Sequence, residues 1–145
     1  MLHLSLNNID DKTMELLSDE LKHPKCAIDS LRLDVDILTE SYIRHLAELL
    51  RKNQRITMLD LSFKNPDDRT MELLCDGLKH PECTIEILQI AGEILAKSSM
   101  KYLAEVLRKN QSLAELHLSI NNLDDKTMEL LCDELKHPEC AIETL

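Results

Sequence analysis

NNLDDKTMELLCDELKHPECAI, residues 121–142, is the third appearance of one phrase in a chain of 145 residues. Residues 7–28 read NNIDDKTMELLSDELKHPKCAI and differ from it at three of twenty-two positions; residues 64–85 read KNPDDRTMELLCDGLKHPECTI. The copies lie 57 residues apart, and self-similarity at a fixed period is the mark of a repeat array. A second unit runs between them, since YIRHLAELLRKNQ at 42–54 returns as SMKYLAEVLRKNQ at 99–111. The chain therefore alternates two kinds of unit, A-B-A-B-A. The A units span 2–30, 59–87 and 116–144 and the B units 31–58 and 88–115, giving five repeats of 29 and 28 residues.

Each unit opens on alternating apolar residues: Leu2 and Leu4, Leu31 and Leu33, Leu59 and Leu61, Leu88 and Ile90, Leu116 and Leu118. Alternation predicts a half-buried strand with these side chains on one face. A helical stripe follows at i, i+3, i+4, i+7. It carries Met14, Leu17, Ser18 and Leu21 in the first A unit, and Ile43, Leu46, Ala47 and Leu50 in the first B unit. The later units repeat it as Met71, Leu74, Cys75 and Leu78; Met100, Leu103, Ala104 and Leu107; and Met128, Leu131, Cys132 and Leu135. Acidic pairs Asp10-Asp11, Asp67-Asp68 and Asp124-Asp125 stand where helices begin and can cap free N–H groups. Proline after His23, His80 and His137 ends the A helices, and Asn53 and Asn110, closing the B helices, suit a left-handed C-terminal position. One strand and one helix cannot bury their own apolar faces. Stacked, the strands form a parallel sheet, and because helices need about 10 Å of spacing and strands about 5 Å, the stack curves with the sheet on the concave side.

Leu113, Leu116, Leu118, Asn121 and Leu123 satisfy L-x-x-L-x-L-x-x-N-x-L, and the chain thereby resembles a leucine-rich repeat. The strict 29/28 alternation resembles the ribonuclease-inhibitor subclass. LCDELKHPEC and LAEVLRKNQSLAELHLS closely resemble the C-terminal repeats of NOD-like receptors with a pyrin domain. The resemblance implies an α/β right-handed horseshoe solenoid and, in function, a ligand-sensing or autoregulatory module of a cytoplasmic innate-immune receptor. Neither nucleotide-binding machinery nor a pyrin domain is in the sequence, so signalling is not expected of it alone. The ladder asparagine of such repeats is present as Asn7 and Asn121 and replaced by Asp36, Lys64 and Glu93, with Pro66 in place of the following leucine. A buried unpaired charge is expensive, so the turns at 35–38, 63–67 and 92–96 are expected to splay outward.

Composition narrows the functions. The net charge of −10 is carried by the A units at −3, −4 and −5, with each B unit at +1, which argues against a phosphate backbone as partner. No apolar run reaches the roughly 20 residues of a membrane span, and the N-terminus lacks the pattern of an export signal; a cytoplasmic chain is expected. Five cysteines, an odd number without an export signal, read as free thiols. Cys75 and Cys132 share a slot with Ser18, Ala47 and Ala104, and the His-Pro-x-Cys turns ending at Cys26, Cys83 and Cys140 lack the four convergent ligands of a zinc site. No nucleophile elbow, phosphate loop or H-E-x-x-H occurs. No cofactor, metal or catalytic residue is expected.

Binding remains. Strand residues pointing away from the leucines line the concave face: His3 and Ser5; Ser30, Arg32 and Asp34; Met58, Asp60 and Ser62; Ile87, Gln89 and Ala91; Glu115, His117 and Ser119. Met58 beside Ile87, ringed by Arg32, Asp34, Asp60, Gln89, Glu115 and His117, has the form of an apolar centre with a polar rim, equally compatible with two ordinary exposed apolars. A protein partner on this face is the expected function. The alternative is an inhibitor that caps a basic enzyme such as a ribonuclease, although no tryptophan is available as an anchor. Neither end carries a polar capping unit, so self-association through open sheet edges is also expected.

Overall fold

The structure is a computed structural model that describes residues 2–135 other than 24, 26, 37, 38, 54, 65, 66, 95, 96, 111, 123 and 124, with the backbone alone at 2, 3, 93, 94, 97, 121, 122, 131, 134 and 135. Cys26, Pro66, Asp124, His137, Cys140 and the side chains of His3, Glu93, Asn121 and Leu131 lie outside these limits.

Five strands alternate with five helices: β1 (Leu2–Asn7), α1 (Asp11–Leu21), β2 (Ile28–Asp34), α2 (Glu40–Lys52), β3 (Met58–Ser62), α3 (Asp68–Lys79), β4 (Ile87–Ile94), α4 (Lys97–Lys109), β5 (Glu115–Asn122) and α5 (Asp125–Leu135). The strands pair in chain order in one parallel sheet, and each helix packs on its sequence neighbours. The fold is a leucine-rich-repeat solenoid. Its core is a stack of equivalent leucines. Leu31, Leu59, Leu88 and Leu116 lie opposite one another and are fully buried, with Leu33, Leu61 and Ile90 in the next row. Met14, Ile43, Met71 and Met100 cover them from the helices.

The helix starts follow from the acidic pairs. The Asp10 carboxylate accepts from the Thr13 amide at 2.7 Å and Asp67 from Thr70 at 2.7 Å, and these bonds hold both carboxyls below the usual range. In the B unit Thr39 does the same for Tyr42. The α3 helix ends at Lys79 with His80 as its cap, and α1 ends at Leu21, two residues before His23.

The first strand departs from the repeat. Leu4 and Leu6, not Leu2 and Leu4, lie opposite Leu31 and Leu33, and the pairing slips between Leu2 and His3. The run Leu2-His3-Leu4-Ser5-Leu6 puts a leucine on the same face in either register, so a two-residue slip leaves every side chain on its side of the sheet. The ladder bond is made by Asn8 and not by Asn7. Asn8 takes a left-handed backbone (φ 49°) and its Oδ1 accepts from the Asp36 amide at 3.1 Å; both asparagines are exposed. Where the ladder residue is charged, Asp36 and Lys64 are exposed to solvent. The expected splaying does not occur at residues 92–94, which continue β4 and pair with β5, or at Val35 and Phe63, which are buried with their amides donating to the Ser62 and Ala91 carbonyls, because strand pairing runs on into these turns; residues 37, 38, 65, 66, 95 and 96 lie outside the described residues.

The asparagines closing the B helices also do something other than expected. Asn53 has an extended backbone (ψ 132°), and Asn8 is the one non-glycine residue with positive φ among those described. Both Asn53 and Asn110 are buried and reach backwards to the preceding A unit: Asn110 Nδ2 donates to the Leu78 carbonyl at 2.7 Å, and Asn53 Nδ2 to the Leu21 carbonyl. Their Oδ1 atoms accept from the amides of the return turn, Arg55 and Ile56 in one case, Ser112 and Leu113 in the other. Each satisfies a carbonyl that the end of an α-helix leaves free.

This tie belongs to a set that occurs twice, at both A-to-B junctions. Lys22 meets Glu48 at 3.2 Å and Lys79 meets Glu105 at 2.6 Å. The Thr39 hydroxyl donates to Asp11, and those of Ser98 and Ser99 to Asp68. The B-to-A junction of α2 and α3 is closed by packing: a Cβ on Gly77 would lie 3.0 Å from the Cα of Ala47. The single phenylalanine is accommodated similarly, since a Cβ on Gly92 would lie 3.1 Å from the Phe63 carbonyl oxygen and 3.2 Å from its ring. The stripe of α5, which packs on α4, is not fully covered among the described residues: Met128 is 42% exposed and Cys132 is exposed, whereas Met71 and Cys75 at the same slots of α3 are buried.

Candidate functional site

The concave face is set by strand register. Because strands rise about 3.3 Å per residue with side chains alternating, and because β2 to β5 pair without a shift over this stretch, every second residue forms rows across the sheet. One row runs Ser30, Met58, Ile87, Glu115, the next Ser5, Arg32, Asp60, Gln89, His117, and the third Asn7, Asp34, Ser62, Ala91, Ser119. The structure brings together the eight residues singled out from sequence. Met58 and Ile87 are cross-strand partners, and Arg32, Asp60, Gln89 and His117 follow one another along the middle row. The slip in β1 sets Ser5 beside Arg32, in the place the repeat would give to His3.

Burial refines the picture of the centre. Met58 and Ile87 are half-buried, with Ser30 buried at the end of their row. They form a low apolar step in the sheet surface. Around them, the Arg32 Nε lies 3.8 Å from Asp60 Oδ2, with Arg32 60% exposed and Asp60 20%. His117 Nε2 stands 3.3 Å from Glu115 Oε2. Asp34 makes no ion pair among the described residues.

Comparison with known proteins adds lineage to this geometry. No family model matches the chain. Over 144 residues, 99% of its length, it is 39% identical to mouse "NACHT, LRR and PYD domains-containing protein 4E", and 37% identical to the human protein 14 of that name. Human protein 12 is 35% identical over 147 residues. It is a leucine-rich-repeat segment related to the NACHT, LRR and PYD domains-containing proteins. The segment spans 15%, 13% and 14% of the length of these three relatives.

The other chemistry-bearing residues of the segment are occupied by its own structure. Cys75 is fully buried, and burial pushes its thiol up to about 12; burial raises that of Cys83 too. His80 Nδ1 accepts from the Glu82 amide at 3.2 Å and His23 Nδ1 from that of Lys25 at 3.1 Å, so the described His-Pro-x-Cys residues act as turn closures. A cleft of about 180 Å³ between the ends of α3 and α4 is lined by Lys79, His80, Pro81, Cys83, Lys109, Asn110 and Ser112. Most of its polar groups are already paired: Lys79 with Glu105 and Asp76, Asn110 with Leu78, and the Ser112 hydroxyl with the Cys83 carbonyl. Among the described residues no group of three or more His, Cys, Asp or Glu could hold a metal ion, and no helix is long and apolar enough to cross a membrane.

Proposed function

We propose that this segment is a non-enzymatic protein-interaction module, the ligand-sensing or autoregulatory leucine-rich-repeat region of a cytoplasmic NOD-like innate-immune receptor, and that it docks a protein through its concave face. The observation that carries the reading is the Met58–Ile87 pair, set side by side by the β3–β4 register in the middle of a sheet face that no helix among the described residues covers. Helices cover the opposite face, where the leucine rows are buried. An apolar centre inside a polar rim is how protein interfaces concentrate binding energy. The groups that would otherwise suggest catalysis support the same reading: the capping aspartates, the junction lysines and the buried asparagines are held in structural hydrogen bonds. The test is capture of cytosolic protein by the wild-type segment and by Met58→Lys/Ile87→Glu, with circular dichroism showing both folded. Loss of a specific captured protein with the variant is the expected result. Equal capture by the two would overturn the reading.

A further inference from the structure

The concave rows carry more negative than positive charge. Asp34, Asp60 and Glu115 face one arginine, Arg32, and that arginine lies against Asp60. Asp34, on β2, and Glu115, on β5 with His117 Nε2 3.3 Å from its Oε2, stand at opposite corners of the patch, and Met58 and Ile87 sit on the two strands between them. At about 4.8 Å between strands and 3.3 Å per residue along them, Glu115 is one strand from Ile87, about 5 Å away. Asp60 is two residues from Met58, about 7 Å. These two separations are within the Debye length of about 8 Å at physiological salt, so Glu115 and Asp60 act on whatever seats against the apolar step, whereas Asp34, four residues along and one strand over from Met58 at about 14 Å, acts on a cation that the docked segment itself carries to it.

We propose that the partner docks through a cationic segment, a single aliphatic or aromatic side chain flanked by lysine or arginine, with the apolar group on Met58 and Ile87 and the cations toward Glu115 and Asp34. This rests on the concave-face reading above. Charge complementarity selects the occupant: an acidic segment would bring like charges against both corners, which costs affinity and slows encounter. Arg32 does not offset this, because Asp60 already neutralises it.

The probe is a random twelve-residue peptide library selected on the immobilised wild-type segment and, in parallel, on Met58→Ser/Ile87→Ser, which removes the apolar step and leaves every charge in place. Enrichment of lysine or arginine on both sides of an aliphatic or aromatic residue, on wild type and not on the variant, is the expected outcome. Asp34→Asn/Glu115→Gln should then weaken the selected peptides roughly 4- to 25-fold, taking each exposed charge contact as about 2- to 5-fold. Peptides rich in aspartate or glutamate that depend on Met58 and Ile87 would overturn the cationic assignment and leave the concave face standing. Peptides that bind the serine variant as well as wild type, or a selection that enriches nothing, would overturn both.

Discussion

Replacing Asn110 with alanine removes three hydrogen bonds at once, and they span two units. The side chain donates to the Leu78 carbonyl at 2.7 Å and accepts from the Ser112 and Leu113 amides, each at 2.7 Å. At about 1 kcal/mol net per bond the loss is about 3 kcal/mol, and stranding the buried Leu113 amide adds about 1–2 more. A cost of about 4–5 kcal/mol is a large share of the roughly 5–15 kcal/mol that holds a domain folded. Urea unfolding followed by circular dichroism measures it, and exchange of the Leu113 amide localises it. Asn110→Gly separates this role from a left-handed cap. A left-handed position would accept glycine at little cost, whereas a tie between units is lost with glycine as fully as with alanine. A cost below about 1 kcal/mol for alanine, or a glycine variant as stable as wild type, would refute the reasoning.

Acid should loosen the junctions. Hydrogen bonds to Lys22 and Lys52 hold Glu48 below its ordinary 4.5, and Lys79 does the same for Glu105. A depressed carboxylate contributes stability that is full above about pH 4.5 and is lost as pH falls through the folded value. The urea midpoints of wild type and Glu48→Gln/Glu105→Gln should therefore differ at pH 6 and converge toward pH 3.5; a constant gap would count against the pairing. Gly92→Ala should cost about 1–3 kcal/mol by overpacking against Phe63, with Phe63→Leu in the same chain recovering part of it; a neutral alanine would show that the strand ends are looser than described. In native alkylation read by peptide mass mapping, Cys132 should label within minutes while Cys75 and Cys83 label only after urea. Native labelling of Cys75 would contradict its buried slot.

Much of the fold was legible because repetition multiplies weak signals. One strand of alternating leucines is ambiguous, but five at 28- and 29-residue spacing require a stack, and the stack fixes which residues face outward together. The concave rows from Ser30 to Ser119 could therefore be read from sequence, and Met58 was found beside Ile87. What alternation could not supply was the register of β1, where three leucines at spacing two fit two pairings equally well. It also could not tell Asn7 from Asn8, because the choice depends on one left-handed residue. Asn53 and Asn110 were misjudged for a different reason. An asparagine at a helix end was read through local backbone preference, whereas the carbonyl it donates to lies more than thirty residues back in the chain. Their recurrence 57 residues apart at the same place in both B units was a signal that could have shown a role between units. The half-burial of Met58 and Ile87 was also hidden, since exposure depends on neighbouring rows that no single strand pattern describes.

The stacking of five strand-and-helix units is most directly open to solution NMR. Long-range NOEs between backbone protons of Leu31 and Leu59, Leu59 and Leu88, and Leu88 and Leu116 are required by a parallel sheet in this register. Finding all three series, each shared with the flanking concave residues, would establish the solenoid and the Met58–Ile87 pair together. Antiparallel patterns, or helical NOEs through the leucine runs, would contradict both.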